Sequence, residues 1–462
     1  MRYISTRGAA PSAGFMEALL TGLAPDGGLY VPETWPTLSK DEIAAFAGRP
    51  YAEVAATVLA QFAGDAFAPE VLSTACAEAY ATFDHPAVTP LTELGPGLWM
   101  QALHHGPTLA FKDVAMQLLA RLYERALADN GRRLTIVTAT SGDTGGAAVE
   151  AFAGRAGVNL VVLFPEGRIS AVQRRFMTTA GAENVRCVAV AGDFDDCQAI
   201  LKALFQDEPF RDEVELSGVN SINFARIAAQ SVYYFTGAVA LGAPHRPVAF
   251  SVPTGNFGDG FAGWVAQRMG LPISRIVAAT NRNDILARTF QQGRYVRGET
   301  AATQSPAMDI QVASNFERLY FEGVGRDGAE TARAFADFAR TGALQLPQGA
   351  AGFMGEVFAG EAMSEAETAY TMRSILAETG QVIDPHTAIG VAAARRLRIS
   401  DPVVVLATAH PAKFPEAVEA ATGSRPSLPA KAAGLMERPE RMDHLPAEVD
   451  AVKGYVRAFA RP

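Results

Sequence analysis

The chain has 462 residues, 49% apolar and 19% charged, enough for roughly two to four domains of ordinary soluble composition. Its net charge of −9 argues against nucleic acid or an anionic membrane as the main partner, so an anionic ligand must be drawn in by local basic groups and backbone amides. The three cysteines, Cys76, Cys187 and Cys197, are widely spaced with no CxxC. The opening "MRYISTRGAAPSAGF" lacks the apolar core of a signal peptide, and no run approaches membrane-spanning length. A cytoplasmic protein without a metal cluster is expected.

In chain order, residues 1–90 read as a mostly helical N-terminal segment. "SAGFMEALLTGL" and "AAFAGRPYAEVAATVLAQFAG" carry helical apolar spacing, and the glycines and prolines of "APDGGLYVPETWP" predict no regular structure between them. Over 91–423, short β-branched runs alternate with helical ones. "RLTIVTAT" precedes "SGDTGGAAVEAFAGRAG", "VNLVVLF" precedes "PEGRISAVQRRFMTTAG", "RPVAFSVPT" precedes "GNFGDGFAGWVAQRMG", and "DPVVVLATAH" precedes "PAKFPEAVEAAT". Such alternation predicts an α/β fold of parallel sheets covered by helices. Residues 424–462 turn proline-rich and charged, and are expected to wrap the surface.

Ligands in open α/β sheets bind at the carboxyl ends of strands, where four segments fall. "TGNFGDG" from Thr254 sets three glycines after an apolar strand and can aim amides at a single phosphate. It has neither the Walker GK[ST] nor the GxGxxG dinucleotide pattern. "TSGDTGG" from Thr140 adds hydroxyls suited to a carboxylate, against a plainer reading in which Ser141, Asp143 or Thr144 caps a helix. Thr408 ends a strand before His410 and Lys413. That histidine, like His104, His105 and His386, reads as structural. Lys112 is the anomaly. It opens a helix, where the dipole disfavours a cation, and it is flanked by Leu109, Ala110 and Phe111. A desolvated lysine loses its proton readily and attacks carbonyls. With a phosphate loop and a strand-end hydroxyl, it describes a pyridoxal phosphate site.

"HGPTLAFKD", "TATSGDTGGAAVEAF", "SVPTGNFGD" and "LATAHPAKF", with "GLAPDGGLYVPE" and "SPAMDIQVASNFERLYFE", closely resemble the threonine synthase family in its bacterial and fungal branch, over residues 1–422. The resemblance implies pyridoxal-phosphate fold type II (tryptophan synthase β-like), two parallel-sheet α/β subdomains with the site between them. It implies that Lys112 carries the cofactor as a Schiff base and shuttles protons. Gly255, Asn256, Phe257, Gly258 and Asp259 would line the cofactor phosphate, mostly through amides, and Thr408 would meet the pyridine nitrogen. Asp143 falls where related enzymes place an asparagine near the 3-oxygen, and a carboxylate there repels a phenolate unless a proton is shared. Ser141 and Thr144 would hold the substrate carboxylate. Arg226 and Lys413, ahead of Arg168 and Arg174, would hold the substrate phosphate.

The implied reaction turns O-phospho-L-homoserine and water into L-threonine and phosphate, by γ-elimination and addition of water at Cβ. That small molecule is the expected partner, without nucleic acid or membrane, and both monomer and dimer are open. A serine or threonine dehydratase or a cysteine synthase on the same fold is the neighbouring reading. A non-catalytic phospholigand-binding homologue is the reading from another class, and Lys112 and Thr408 count against it.

Overall fold

Two sheets frame the molecule, whose computed structural model describes residues 1–128 and 131–460. The larger sheet runs Phe358–Ala362, Ile273–Thr280, Val248–Pro253, Val403–Ala407, Leu98–Ala102 and Leu91–Gly95, parallel except for the last pair. The smaller is parallel throughout, in the order Asp443–Pro446, Val185–Ala191, Val158–Pro165, Leu134–Ala139 and Leu216–Ser217. Its inner strands and those of the larger sheet are apolar on both faces. Every residue of Val403–Ala407 and of Val248–Pro253 is buried, as helices on both sides of a parallel sheet require.

The helices Lys112–Ala128 and Phe224–Ala240 are buried almost all round and belong to one core shared by both sheets. The loops at the carboxyl ends of Leu134–Ala139, Val248–Pro253, Val403–Ala407 and Leu98–Ala102 therefore converge on one place.

Two expectations are corrected. The N-terminal segment is not mostly helical: four helices share it with an antiparallel sheet of Ala13–Gly14, Arg2–Ser5 and Tyr30–Pro32. Tyr30–Pro32 lies within the stretch predicted to lack regular structure. Its pairing with the chain start is a tertiary contact that local composition does not carry. Nor does the C-terminal segment merely wrap the surface. Asp443–Pro446 adds the edge strand to the smaller sheet, and Val452 and Val456 of the helix Val449–Ala460 enter its core.

The N-terminal segment is tied down by the helix Phe316–Gly323. Glu317 accepts from the Thr6 hydroxyl at 2.6 Å and from Arg7 Nε and Nη2 at 3.1 and 2.9 Å. Arg318 is fully buried, its pKa pushed down to about 9 by burial. It donates to the Tyr30 carbonyl at 3.0 Å, to the Ile222 carbonyl and to the Asn315 side-chain oxygen. One guanidinium thus joins the N-terminal sheet to two loops of the site. Arg318→Met should leave these acceptors unsatisfied and cost about 3 kcal/mol. Urea unfolding reads the loss, and an unchanged midpoint would mean that the three segments hold together without it.

Candidate active site

A cavity of about 270 Å³ opens between the two sheets, lined by Lys112, the loops at Thr140, Thr254 and Thr408, and Arg226. The loop before Lys112 is held in an unusual shape. Leu109 is buried at φ 64°, in the left-handed region. Buried Asp113 accepts from the Thr108 amide at 2.8 Å and its hydroxyl at 2.7 Å, closing the turn. Lys112 is thereby fixed at the helix start, its ammonium 4.7 Å from the Phe111 ring centre.

The answer to the misplaced lysine is Asp143. Its carboxylate lies 3.5 Å from Lys112 Nζ and 2.7 Å from Lys413 Nζ, and accepts from Gln173 Nε2 at 3.0 Å. Burial would raise the pKa of Asp143. The charges of Lys413 and Lys112 outweigh it and hold the carboxyl well below the usual range. For Lys112, burial is the larger effect and lowers its proton affinity, with Asp143 opposing. Gly142, at φ 128°, is what lets Gln173 in: a Cβ there would lie 2.5 Å from the Gln173 side-chain carbon.

The capping alternative for the Thr140 loop does not hold, because Gly142 is the N-cap of Asp143–Phe152 and no side chain caps it. The Thr140 hydroxyl instead accepts from the amides of Gly142 and Gly145, both at 2.9 Å. Ser141 and Thr144 face the cavity.

At the Thr254 loop, the amides of Gly255, Asn256, Phe257, Gly258, Asp259 and Gly260 meet no acceptor among the described residues. The first helical bond is Phe261 N–H to the Phe257 carbonyl at 3.0 Å. Six donors left free at a helix start form a ready cradle for an anion. Phe257 shapes it from φ 63°, a conformation that costs a non-glycine residue about 1–2 kcal/mol. Packing against Phe290 and Phe358, with ring centres 5.7 and 5.3 Å away, holds it there. Asn315 turns the Asn256 carbonyl aside, donating to it from its backbone at 3.0 Å and from Nδ2 at 3.2 Å. Asp259 reaches the cavity wall, but its carboxyl is bound by the hydroxyls of Tyr233 and Tyr234, and burial pushes its pKa up to about 6.

The basic residues separate clearly. Arg226 faces the cavity with 2% exposure, donates to the Val219 carbonyl at 3.1 Å, and leaves Nε without a partner. Among the described residues it pairs with no carboxylate, and burial lowers its pKa to about 10. Lys413 is spent on Asp143 and on the Thr108 carbonyl at 2.8 Å, behind the cavity wall. Arg174 is bound by both oxygens of Glu440, at 2.8 and 3.0 Å, and Arg168 is exposed after the strand Val158–Pro165. Of the four basic candidates, only Arg226 is brought to the cavity. Thr408 lines it too, while His410 caps the turn Pro411–Lys413 through Nδ1, a structural role.

Sequence reasoning passed over Asn220, Ser221 and Ser314 in the wall, and Gln173 and Asp113 behind it. Ser314 and Asn315 lie inside "SPAMDIQVASNFERLYFE", so that motif was the available signal. For Gln173 the signal is the Ser170-x-x-Gln173 capping box, which marks a helix start but not the bond to Asp143.

Comparison with known proteins agrees with this geometry. Residues 2–80 match the family model described as threonine synthase N terminus, 82–357 that of pyridoxal-phosphate dependent enzymes, and 387–456 that of threonine synthase, C-terminal. The chain is 49% identical to the threonine synthase of Pseudomonas aeruginosa over 99% of its length and 98% of that protein's. It is 39% identical to that of Saccharomyces cerevisiae, covering 90% and 88%. The crystal structure of pyridoxal-phosphate-bound threonine synthase from Brucella melitensis superposes with a TM-score of 0.96, at 51% identity and full coverage of both chains. With the α/β architecture and the cavity already in place, these likenesses settle the lineage: the chain belongs to the threonine synthase family.

Proposed function

We propose that the chain is a pyridoxal-phosphate-dependent threonine synthase, converting O-phospho-L-homoserine and water into L-threonine and phosphate. It would work in the cytoplasm on a small molecule, without nucleic acid or membrane. No helix among the described residues is long and apolar enough to cross a membrane, and the cysteines are free and buried. One observation carries the reading. A desolvated lysine, the unpaired amides from Gly255 to Asp259 and a buried guanidinium without a carboxylate line the same cavity. That donor set suits amine chemistry and two separate phosphates.

The residues fit the cofactor: the Gly255–Gly260 amides would take its phosphate, Lys112 its aldehyde carbon, and Thr408 its ring nitrogen. When bound, it withdraws electrons from the substrate's Cα through its ring. Lys112 would take protons from Cα and Cβ and return them, aided by the lowered proton affinity that burial imposes. Ser141 and Thr144 would orient the substrate carboxylate through hydroxyls and amides. Asp143 would face the 3-oxygen, and the repulsion expected there is met by Lys413, whose 2.7 Å contact cancels the carboxylate charge. The longer 3.5 Å contact to Lys112 is the one that can break as the lysine moves. Arg226 would bind the substrate phosphate and strengthen its hold as the departing group gains charge. A dehydratase has no use for that unpaired guanidinium, which favours a phosphorylated substrate. Phosphate release from O-phosphohomoserine, beside turnover of serine and O-acetylserine, tests the choice. Preference for either unphosphorylated compound would overturn it.

Lys112→Ala should abolish the visible absorption of the bound cofactor and leave thermal unfolding near wild type. Turnover at the wild-type rate in that variant would remove Lys112 from the chemistry. Arg226→Ala should slow single-turnover phosphate release by about 10²–10³-fold, with lysine a poor substitute for lack of the planar fork. Cofactor absorbance should stay unchanged, and a parallel loss of absorbance would mean that Arg226 supports the cofactor instead. Asp143→Asn should leave buried Lys413 and its neighbour Lys112 without a counter-charge and cost about 3–5 kcal/mol. Adding Lys413→Met should recover part of this in urea unfolding, because the second cation is then gone. Strictly additive losses would show that the two side chains are not coupled.

A further inference from the structure

One buried pair at the cavity has no part in the scheme above. Asp384 caps the helix Pro385–Leu397, accepting from the amides of His386 and Thr387 at 3.0 and 3.1 Å, from the Thr387 hydroxyl, and from His386 Nδ1 at 2.6 Å. Burial alone would raise its pKa, but the bonds from His386 and Thr387 prevail and keep it below the usual carboxylate range. An ionised carboxylate can only accept, so the hydrogen sits on His386 Nδ1. In the tautomer with that hydrogen on Nδ1, the lone pair is on the other ring nitrogen, Nε2. It is buried and meets no hydrogen-bond partner among the described residues, and His386, 2% exposed, lines the cavity. An acceptor buried without a partner is costly unless something bound there supplies a donor.

The helix geometry says which end of the cavity it serves. Gly390 packs on two central strands: a Cβ there would lie 3.0 Å from Pro253 Cγ, at the carboxyl end of its strand, and 2.9 Å from Val405 Cγ1, in the middle of the other. His386 lies on the same face one turn earlier, and so nearer the strand ends that carry Thr254 and Thr408. Phe414 packs on its ring, with centres 4.7 Å apart. The charged or titratable groups around the pair are Asp309, which senses His386, and His104 and His410, which sense Asp384. The Ser141 and Thr144 side of the cavity belongs to the other sheet.

We infer that His386, held in one tautomer by Asp384, is a cofactor-contacting residue at the ring-nitrogen end, where it accepts a hydrogen bond and favours the protonated ring nitrogen. Asp384 is its positioning residue. The inference rests on the function proposed above. A threonine hydroxyl either donates or accepts, so Thr408 alone leaves the ring nitrogen's proton undecided. The lone pair of His386 tips that balance toward N–H and makes the ring a stronger electron sink.

The test uses the full chain loaded with pyridoxal phosphate carrying ¹⁵N in the ring, without substrate. In the wild type the ring-nitrogen resonance should lie at the protonated position. In His386→Phe it should move toward the unprotonated one, and His386→Gln, which keeps an acceptor, should restore part of the shift. Identical resonances in wild type and His386→Phe would overturn the inference, as would equal shifts in the Phe and Gln variants. Because His386→Phe could fail to fold, the imidazole of ¹⁵N-histidine-labelled wild type is also followed. Cofactor addition should shift Nε2 from a free to a hydrogen-bonded lone pair, and inorganic phosphate alone should not. No shift with cofactor, or the same shift with phosphate, would sink the assignment. Failure of the underlying reading looks different: no visible cofactor band forms at all, whereas a normal band with an unmoved ring nitrogen refutes this inference alone.

Discussion

Two ammoniums, one buried and one at the cavity wall, share one carboxylate at the centre of this protein, and the rest of the site is arranged to make that tolerable. Asp143 meets Lys413 closely and Lys112 loosely. The carboxylate offsets both cations where little water reaches them. Gln173 and the Thr108 carbonyl take up bonding capacity left over on Asp143 and Lys413. The triad spans the smaller sheet, through the Thr140 loop, and the larger, through the segment after Val403–Ala407. Charge neutralisation therefore also joins the two halves of the cavity wall.

The two phosphates asked for by the proposed reaction would be handled by different physics. The cradle at Thr254 is made of backbone amides and depends on loop shape, which is why Phe257 is held in a conformation that suits glycine better. Arg226 is a full charge that the fold leaves unpaired in a buried place. Backbone donors suit a group that stays bound, and a fixed charge whose contact strengthens as negative charge develops suits one that must leave. Arg318 links these devices through Asn315 and Ile222, and ties both to the N-terminal sheet at Tyr30.

Much of this was legible in the residues. The alternation of β-branched runs with helices foretold both parallel sheets, and the glycine loops, Lys112 and Thr408 marked strand ends that do converge. What local sequence could not show was pairing at a distance. Tyr30–Pro32 looks like turn sequence and becomes a strand only because the chain start lies beside it. The tail looks like surface wrapping until Asp443–Pro446 meets Val185–Ala191. Lys413 invited a substrate role by its position after Thr408, yet its partner is set by Asp143, on the other sheet. His386 looked structural, and half of it is: Nδ1 serves Asp384 while Nε2 is left over.

The order of strands in the larger sheet has a consequence for how the chain is made. Val403–Ala407 lies between Leu98–Ala102 and Val248–Pro253, so two strands synthesised earlier must wait for a central neighbour that is made well after both. The edge strand Asp443–Pro446 of the smaller sheet comes later still. Throughout translation both sheets present unpaired backbone, the kind of surface on which nascent chains associate. Thr408 and Lys413 emerge with the missing strand, so Lys112 and Asp143 are without their second cation until that strand is made. A chain cut before that strand would have a divided larger sheet and an unbalanced centre.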